Sequence, residues 1–211
     1  MKIKVSPKSD EITWEELADL LHESFEERLQ QGLHFSCSYL TASDLERKSQ
    51  KSIVLTAIDE DNKVLAGTVT LTISKENDYC LKAYHSNLAV KPDYKNQGVA
   101  TLLFNSFLDI ATANNCDYVY SDTAIGATSS VKWHKKNGYK IVGLRSFLLT
   151  NYYSYIFRLQ LKHHPLWSNS LYCYLRFLLS ALKCRLCYDV NGNYKMLMRL
   201  RIKFGKMLLS R

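Results

Sequence analysis

The sequence predicts an α+β chain: a mixed, mostly antiparallel sheet flanked by helices, with a helical extension at its C-terminal end. Between residues 52 and 90, three β segments follow one another across short polar turns, which is the pattern of antiparallel neighbours. From residue 80 onward strand, helix, strand and helix alternate, which is the pattern of a parallel crossover inside the same sheet. Charge then sets the end of the chain apart. Residues 1–162 hold 19 Lys+Arg and 19 Asp+Glu, whereas residues 163–211 hold 9 Lys+Arg and one acid, Asp189, so the whole net charge of +8 lies in the tail.

The elements follow in order. Lys2–Val5 reads as a short strand closed by Pro7. Thr13 with Glu16 three residues on forms a capping box, in which hydroxyl and carboxylate each satisfy an early amide. Trp14, Leu17, Leu21, Phe25 and Leu29 then make one apolar stripe, and Gly32 is the expected stop. Ser43-Asp-Leu-Glu46 starts a second, shorter helix. Ser52–Asp59 is rich in β-branched residues, and Glu60-Asp-Asn62 turns the chain. In Val64–Ser74, Val69, Leu71 and Ile73 face one way and Thr68, Thr70 and Thr72 the other. A strand from about Cys80 to Val90 ends at Lys91-Pro92, and Gly98 opens an amphipathic helix carrying Leu102, Leu103, Phe107 and Ile110. Asp117–Thr123 reads as a strand and Ser129–Asn137 as a short helix with Gly138 as its left-handed end. Tyr139–Phe147 and Tyr152–Leu161 read as a hairpin.

The 211 residues, 46% hydrophobic with 8 Gly and 3 Pro, can bury a sizeable core and are neither collagen-like nor broadly disordered. Six cysteines without regular spacing do not make a disulfide framework. The start MKIKVSPKSDE turns polar within a few residues, so no hydrophobic signal is expected and a cytoplasmic location is.

Chemistry concentrates in Asn87–Leu103. A strand passes through a polar loop with little side-chain bulk at Gly98 and Ala100 and enters a helix. Amides at a helix start lack intrahelical partners and sit at the positive end of its dipole, so such a loop binds phosphate through backbone alone. Lys95 adds a cation at the rim. Lys95-x-x-Gly98-x-Ala100, preceded by Leu-Ala-Val-x-Pro, resembles the acyl-CoA pyrophosphate loop of the GNAT N-acyltransferase superfamily, with Lys95 where Gln or Arg is usual. Ser129–Tyr139 resembles the later family helix, Trp133 and His134 standing at its aromatic pair and Gly138-Tyr139 at its closing dipeptide. The resemblance spans roughly residues 1–161, so residues 1–162 are expected to form the acyltransferase domain and 163–211 the basic extension.

The resemblance implies acetyl-CoA as co-substrate and a primary amine as acceptor, attacked directly at the thioester. It implies that backbone groups of Leu88, Ala89 and Val90 hold the pantetheine arm between two splayed strands. Lys95, Asn96, Gln97, Gly98, Val99, Ala100 and Thr101, with Ser129, would hold the remainder of the ligand. His134 takes the place of the family's usual proton-donating tyrosine, and an imidazole with pKa about 6.5 can serve as acid or base near neutrality. Ala127 replaces a frequent Asn. The strand before the loop carries Ser86 and Asn87 where relatives carry an acid, which leaves His85, then Asp122, as base candidates. The alternative is a module that binds acyl-CoA without turnover.

Outside the resemblance, Cys184-x-x-Cys187 lacks two further ligands at a usual spacing, so no metal is expected. Tyr152, Tyr153 and Tyr155 either line an acceptor pocket for a sugar or peptide or pack across the strands, and packing is favoured. In the tail, Leu166, Trp167, Leu171, Tyr174, Leu175, Leu178, Leu182 and Leu186 make an apolar run that Ser168-Asn-Ser170 and Arg176 disqualify as a membrane span. After Asn191-Gly-Asn193, Lys195, Arg199, Lys203 and Lys206 share one helical face beside Leu197, Leu200, Phe204 and Leu208. Such a tail either folds apolar side inward onto the domain, or docks on a membrane surface or an acidic protein. Membrane docking would suit an amino sugar or nucleotide-sugar acceptor. Nucleic acid is disfavoured, because no readout motif accompanies the charge.

Overall fold

The computed structural model describes residues 2–195 apart from Tyr79 and Leu149. Its strands are β1 (Ile3–Pro7), β2 (Ile53–Asp59), β3 (Val64–Asn77), β4 (Cys80–Val90), β5 (Tyr118–Ala124), β6 (Lys140–Ser146) and β7 (Tyr153–Gln160). Its helices are α1 (Trp14–Gln30), α2 (Ala42–Ser49), α3 (Val99–Ala113), α4 (Thr128–Lys136), α5 (Pro165–Ser168) and α6 (Ser170–Cys187). The strands are hydrogen-bonded in the order β1-β2-β3-β4-β5-β7-β6, with the first four antiparallel and β4 parallel to β5. The hairpin expected at residues 139–161 is present as β6 and β7. The sequence-based expectation placed β6 and β7 without showing that β7 is the inner strand.

Two compact units share these elements. Residues 2–121 with 159–163 form the first, and residues 122–158 with the described residues from 164 on form the second. The tail helices α5 and α6 therefore pack within the second unit.

In the first unit the sheet is covered on both faces. Leu17, Ala18, Leu20 and Leu21 of α1 and Leu45 of α2 bury against Val54 and Ala89. On the other face lies α3, whose Leu103 and Val99 side chains and the carbonyl of Ala89 crowd Gly67. This double cover explains why Thr68 and Thr70, expected on a polar face, are buried. The Thr68 hydroxyl donates to the Leu55 carbonyl at 2.9 Å, which satisfies a polar group that burial would otherwise penalise. The box at α1 forms as read: the Glu16 amide donates to Thr13 Oγ1 at 3.1 Å and the Thr13 amide to Glu16 Oε2 at 2.7 Å. Helix α2 starts two residues earlier than expected, because Thr41 rather than Ser43 accepts the capping amide, that of Asp44. Pro7 ends β1 from inside the strand.

The second unit contains α4, β6, β7 and the tail helices. Ser180 of α6 accepts from the Leu144 amide at 3.0 Å and donates to the Leu144 carbonyl at 3.1 Å. Since Ser180 takes both Leu144 backbone groups, Leu144 and Tyr155 of β7 form a non-hydrogen-bonded pair, whose N–H and C=O point away from β7. The helix thus caps the outer edge of β6, a row of groups that would otherwise recruit another strand. Gly143 permits this approach, since a Cβ there would lie 3.0 Å from Ser180 Oγ. Trp167 lies under the guanidinium of Arg158 at 4.0 Å and that of Arg176 at 5.8 Å, which pins α5.

The tail thus packs with a different side inward from the one expected. Cys173 and Cys184 are buried, Tyr155 meets Phe177 at 6.0 Å, and the leucine stripe faces outward. The expected second tail helix, with Arg199, Lys203 and Lys206, lies outside the described residues. Among the described residues no helix is long and apolar enough to cross a membrane.

The crowding at Gly67 yields a first prediction. Gly67→Ala would place a methyl 2.8 Å from the backbone oxygen of Ala89, an atom that cannot rotate away. We expect a loss of about 1–3 kcal/mol, as for other overpacked cores, read as a lower urea midpoint at unchanged m-value.

Candidate functional site

The site is built by β4 and by the loop that follows it. The pairing of β4 with β3 slips between Ser86↔Thr70 and Ala89↔Thr68, so Asn87 and Leu88 oppose Val69 alone. This is a β-bulge, and Asn87 absorbs it in the left-handed region at φ 52°. Its side-chain amide reaches Thr70 Oγ1 at 3.5 Å. One extra residue reverses which face each later side chain takes. His85 accordingly stacks on Phe107 of α3 at 4.9 Å, whereas Ala89, four residues on, joins the α1 cluster. A regular strand would put both on one face.

On its other edge β4 pairs with β5 only over Lys82–Tyr84 against Tyr118–Tyr120. Beyond Tyr84, among the described residues, no strand pairs with this edge of β4, and Leu88 and Val90 lie on that stretch, each half-buried.

The chain leaves β4 through a 3-10 turn, Pro92–Tyr94, which is anchored from below. Tyr94 donates its hydroxyl proton to Asp59 Oδ2 at 3.1 Å, and Asn62 Nδ2 donates to the same oxygen at 2.8 Å. The Asn62 amide, followed by the Tyr94 hydroxyl, holds the Asp59 carboxyl below the usual carboxylate range against the opposing effect of burial. Asn96 and Gly98 both adopt positive φ, 61° and 86°. Gly98 is the N-cap of α3 and offers no side chain to its first amides. Thr101 and Leu102 donate back to the Gly98 carbonyl at 2.9 and 3.0 Å, so the intrahelical ladder begins there. A Cβ on Gly98 would meet nothing of the protein within 4 Å. Glycine is required by the backbone angle, and the space beside it is open to a ligand.

Lys95 does not stand alone at the rim. Its Nζ lies 3.2 Å from Glu27 Oε2 of α1, and Lys91 Nζ lies 3.6 Å from Glu23 Oε2 one turn earlier. The Lys95 ammonium lowers the Glu27 pKa through its hydrogen bond and charge. An anion at the loop would share Lys95 with Glu27.

Of the other expected residues, Ser129 is exposed on the first turn of α4 and Asp122 is half-buried on β5. His85 is 2% exposed, and the Phe107 stack leaves the ring inside the core. His134 is 4% exposed. Its Nδ1 lies 2.8 Å from the Ser130 carbonyl, which can only accept, so in the neutral ring Nδ1 carries the proton and Nε2 does not. The ring stacks on Phe157 at 4.3 Å and meets Tyr139 at 5.2 Å. Burial depresses its pKa to about 4, with the Ser130 hydrogen bond opposing that shift. At neutral pH His134 is therefore a neutral imidazole whose Nδ1 proton is engaged by the Ser130 carbonyl. Among the described residues no group of three or more His, Cys, Asp or Glu is placed to hold a metal.

Asn87 is the site residue that the strand pattern missed. Its signal was available: an asparagine inside a β run is the residue type that tolerates left-handed backbone.

Residues 14–139 match the acetyltransferase (GNAT) family, and the chain belongs to it. No protein of curated description matches it in sequence. Solved structures share its fold. A GNAT-family acetyltransferase from Staphylococcus aureus Mu50 superposes with TM-score 0.60 at 15% identity over 76% of this chain and 100% of the other. Arabidopsis thaliana NAA60, solved with a bisubstrate analogue, gives 0.58 at 16% identity over 76% and 100%. An Elizabethkingia anophelis GNAT acetyltransferase with acetyl-CoA bound gives 0.56 at 15% identity over 75% and 98%.

Two predictions follow from the geometry. An unfolded histidine titrates near about 6.5, and His134 in the fold near about 4. Between those values only the unfolded chain takes the proton, so stability is full above that window and falls as pH drops through it. The loss should reach about 3 kcal/mol, and His134→Phe should flatten this part of the profile in urea titrations run across it. Second, Asp59→Asn should weaken acetyl-CoA binding several-fold and also lower the melting temperature, because it disturbs a buried acceptor of three hydrogen bonds and loosens the turn that carries the loop. Calorimetry beside thermal denaturation checks this.

Proposed function

We propose that the chain transfers an acetyl group from acetyl-CoA to a primary amine. The observation that carries this reading is the loop from Lys95 to Thr101, whose left-handed Gly98 opens α3 with uncapped amides and open space beside them. Family membership supplies the ligand class. In this reading the amides from Gln97 to Ala100 hold the pyrophosphate, Thr101, whose amide is already given to the Gly98 carbonyl, contributes its side chain beside them, and Asn96 and Lys95 shape and charge the rim. The backbone of Leu88, Ala89 and Val90, on the stretch of β4 beyond its pairing with β5, hydrogen-bonds the pantetheine arm. The bound co-substrate supplies the activated acyl thioester.

The amine nitrogen forms a bond to the carbonyl carbon, the carbon–sulfur bond breaks and the thiolate leaves, one proton passes from nitrogen to the base and one reaches sulfur from water. The Val90 amide faces the thioester oxygen and stabilises charge that develops there. Asp122 is the carboxylate proposed to accept the amine proton, with water as the alternative relay. His134 is assigned a positioning role, since its proton is held by Ser130, and His85 a packing role in the α3 face. Ser129 is kept as a contact for the co-substrate.

The state of His134 also favours a second reading, an acyl-CoA-binding module without turnover. Both are separated by one series. Acetyl-CoA should bind by calorimetry, Gly98→Glu should abolish binding by placing a carboxylate against the phosphates, and Gly98→Ala should retain more of it, because its cost is backbone angle alone. Thiol release is then followed with a panel of amino sugars, small amines and peptides. Release with any of them establishes the transferase; binding without release from the whole panel establishes the module.

A further inference from the structure

We propose that the outward face of α6 docks on an anionic lipid surface. Leu171, Leu175, Leu178, Leu179, Leu182 and Leu186 recur at helical spacing and are 42–65% exposed. Six leucines in a row along an 18-residue helix, about 27 Å long, form a continuous apolar stripe rather than scattered surface residues. The opposite side of α6 is committed. Ser180 is bonded to Leu144 on the β6 edge and Cys173 and Cys184 are buried. The helix therefore cannot roll to bury its leucines without breaking the edge contact.

Charge decides what covers this face. Helix α6 contains no acid, and Lys183 and Arg176 flank the stripe on one side with Arg185 on the other, all exposed. The 163–211 segment as a whole has 9 basic residues and one acid. A second copy seated on the stripe would set these cations against their own symmetry mates. A bilayer with anionic headgroups instead receives the leucines at the acyl boundary and pairs the flanking cations with phosphates, the arrangement of an interfacial amphipathic helix. Docking in the plane of the interface is consistent with α6 falling short of a membrane span. This inference stands independently of the acetyl-transfer reading.

The full chain is floated with phosphatidylcholine vesicles with and without a minor fraction of phosphatidylglycerol. Binding to the anionic vesicles only, falling with added salt, is expected. Leu175→Gln/Leu179→Gln/Leu182→Gln should abolish it, and Lys183→Gln and Arg185→Gln should each weaken it about fivefold. All these side chains are exposed, and unchanged circular dichroism and melting temperature certify the fold of the variants. Failure of the folded chain to bind anionic vesicles overturns the proposal. So does equal binding by the triple leucine variant. A dimer by light scattering that the leucine variant dissolves would assign the face to a second copy and overturn it as well.

Discussion

One extra residue in β4 governs both faces of the first unit. Because Asn87 takes a left-handed turn inside the strand, His85 is delivered to the α3 face and Ala89 to the α1 face. The same residue releases the strand from its regular ladder just before it reaches the loop. At the end of the strand, Gly67 of β3, the partner of Val90, lets the Ala89 carbonyl and α3 approach within a distance no side chain would allow. Loop position is thus a consequence of core packing: the sheet fixes where α3 starts, and the start of α3 is where free amides collect. The Asp59–Tyr94–Asn62 cluster then sets the turn between them.

Local signals made much of this legible. Thr13 with Glu16, Gly98 before an amphipathic run, and Gly138 after a short one each name a specific backbone conformation, and each is found. What pattern reading missed is non-local or irregular. A period of two assumes an unbroken pleat, so it could not show the β4 bulge, and it took Thr68 and Thr70 for a solvent face because nothing local reveals that both faces are covered. The early start of α2 was a contest between two hydroxyl residues, Thr41 and Ser43, each followed three residues later by an acid. Strand order is not a local property either, which is why the inner place of β7 was not evident.

His134 shows how one motif can serve the backbone as well as the role attached to it. At the end of α4, Tyr139 donates its amide to the His134 carbonyl and Gly138 to that of Lys135, at 3.1 Å each. This is a Schellman closure, in which the residue after the left-handed glycine packs on the residue five positions before it. The contact between the Tyr139 and His134 rings completes it. The spacing His134-x-x-x-Gly138-Tyr139 is therefore what helix termination needs. The aromatic pair is then buried against Phe157, and burial depresses the imidazole pKa that a donor would need kept near neutrality.

Helix α6 presents the converse case. Its leucine stripe is the stronger periodic signal, and periodicity alone would turn it inward. The sheet imposes a different requirement. The outer edge of β6 has backbone groups to satisfy, and Leu144 is satisfied by a hydroxyl approaching over Gly143. A leucine side chain can neither donate nor accept and is too bulky for that gap, so the side bearing Ser180, Cys173 and Cys184 wins the contact although it is less apolar. Unsatisfied backbone at a sheet edge costs about 1–3 kcal/mol per buried group, comparable to what one buried leucine returns, and an outward leucine can still be buried later by a partner. The order of these two demands leaves an apolar stripe on the surface of a folded unit, flanked by Arg176, Lys183 and Arg185.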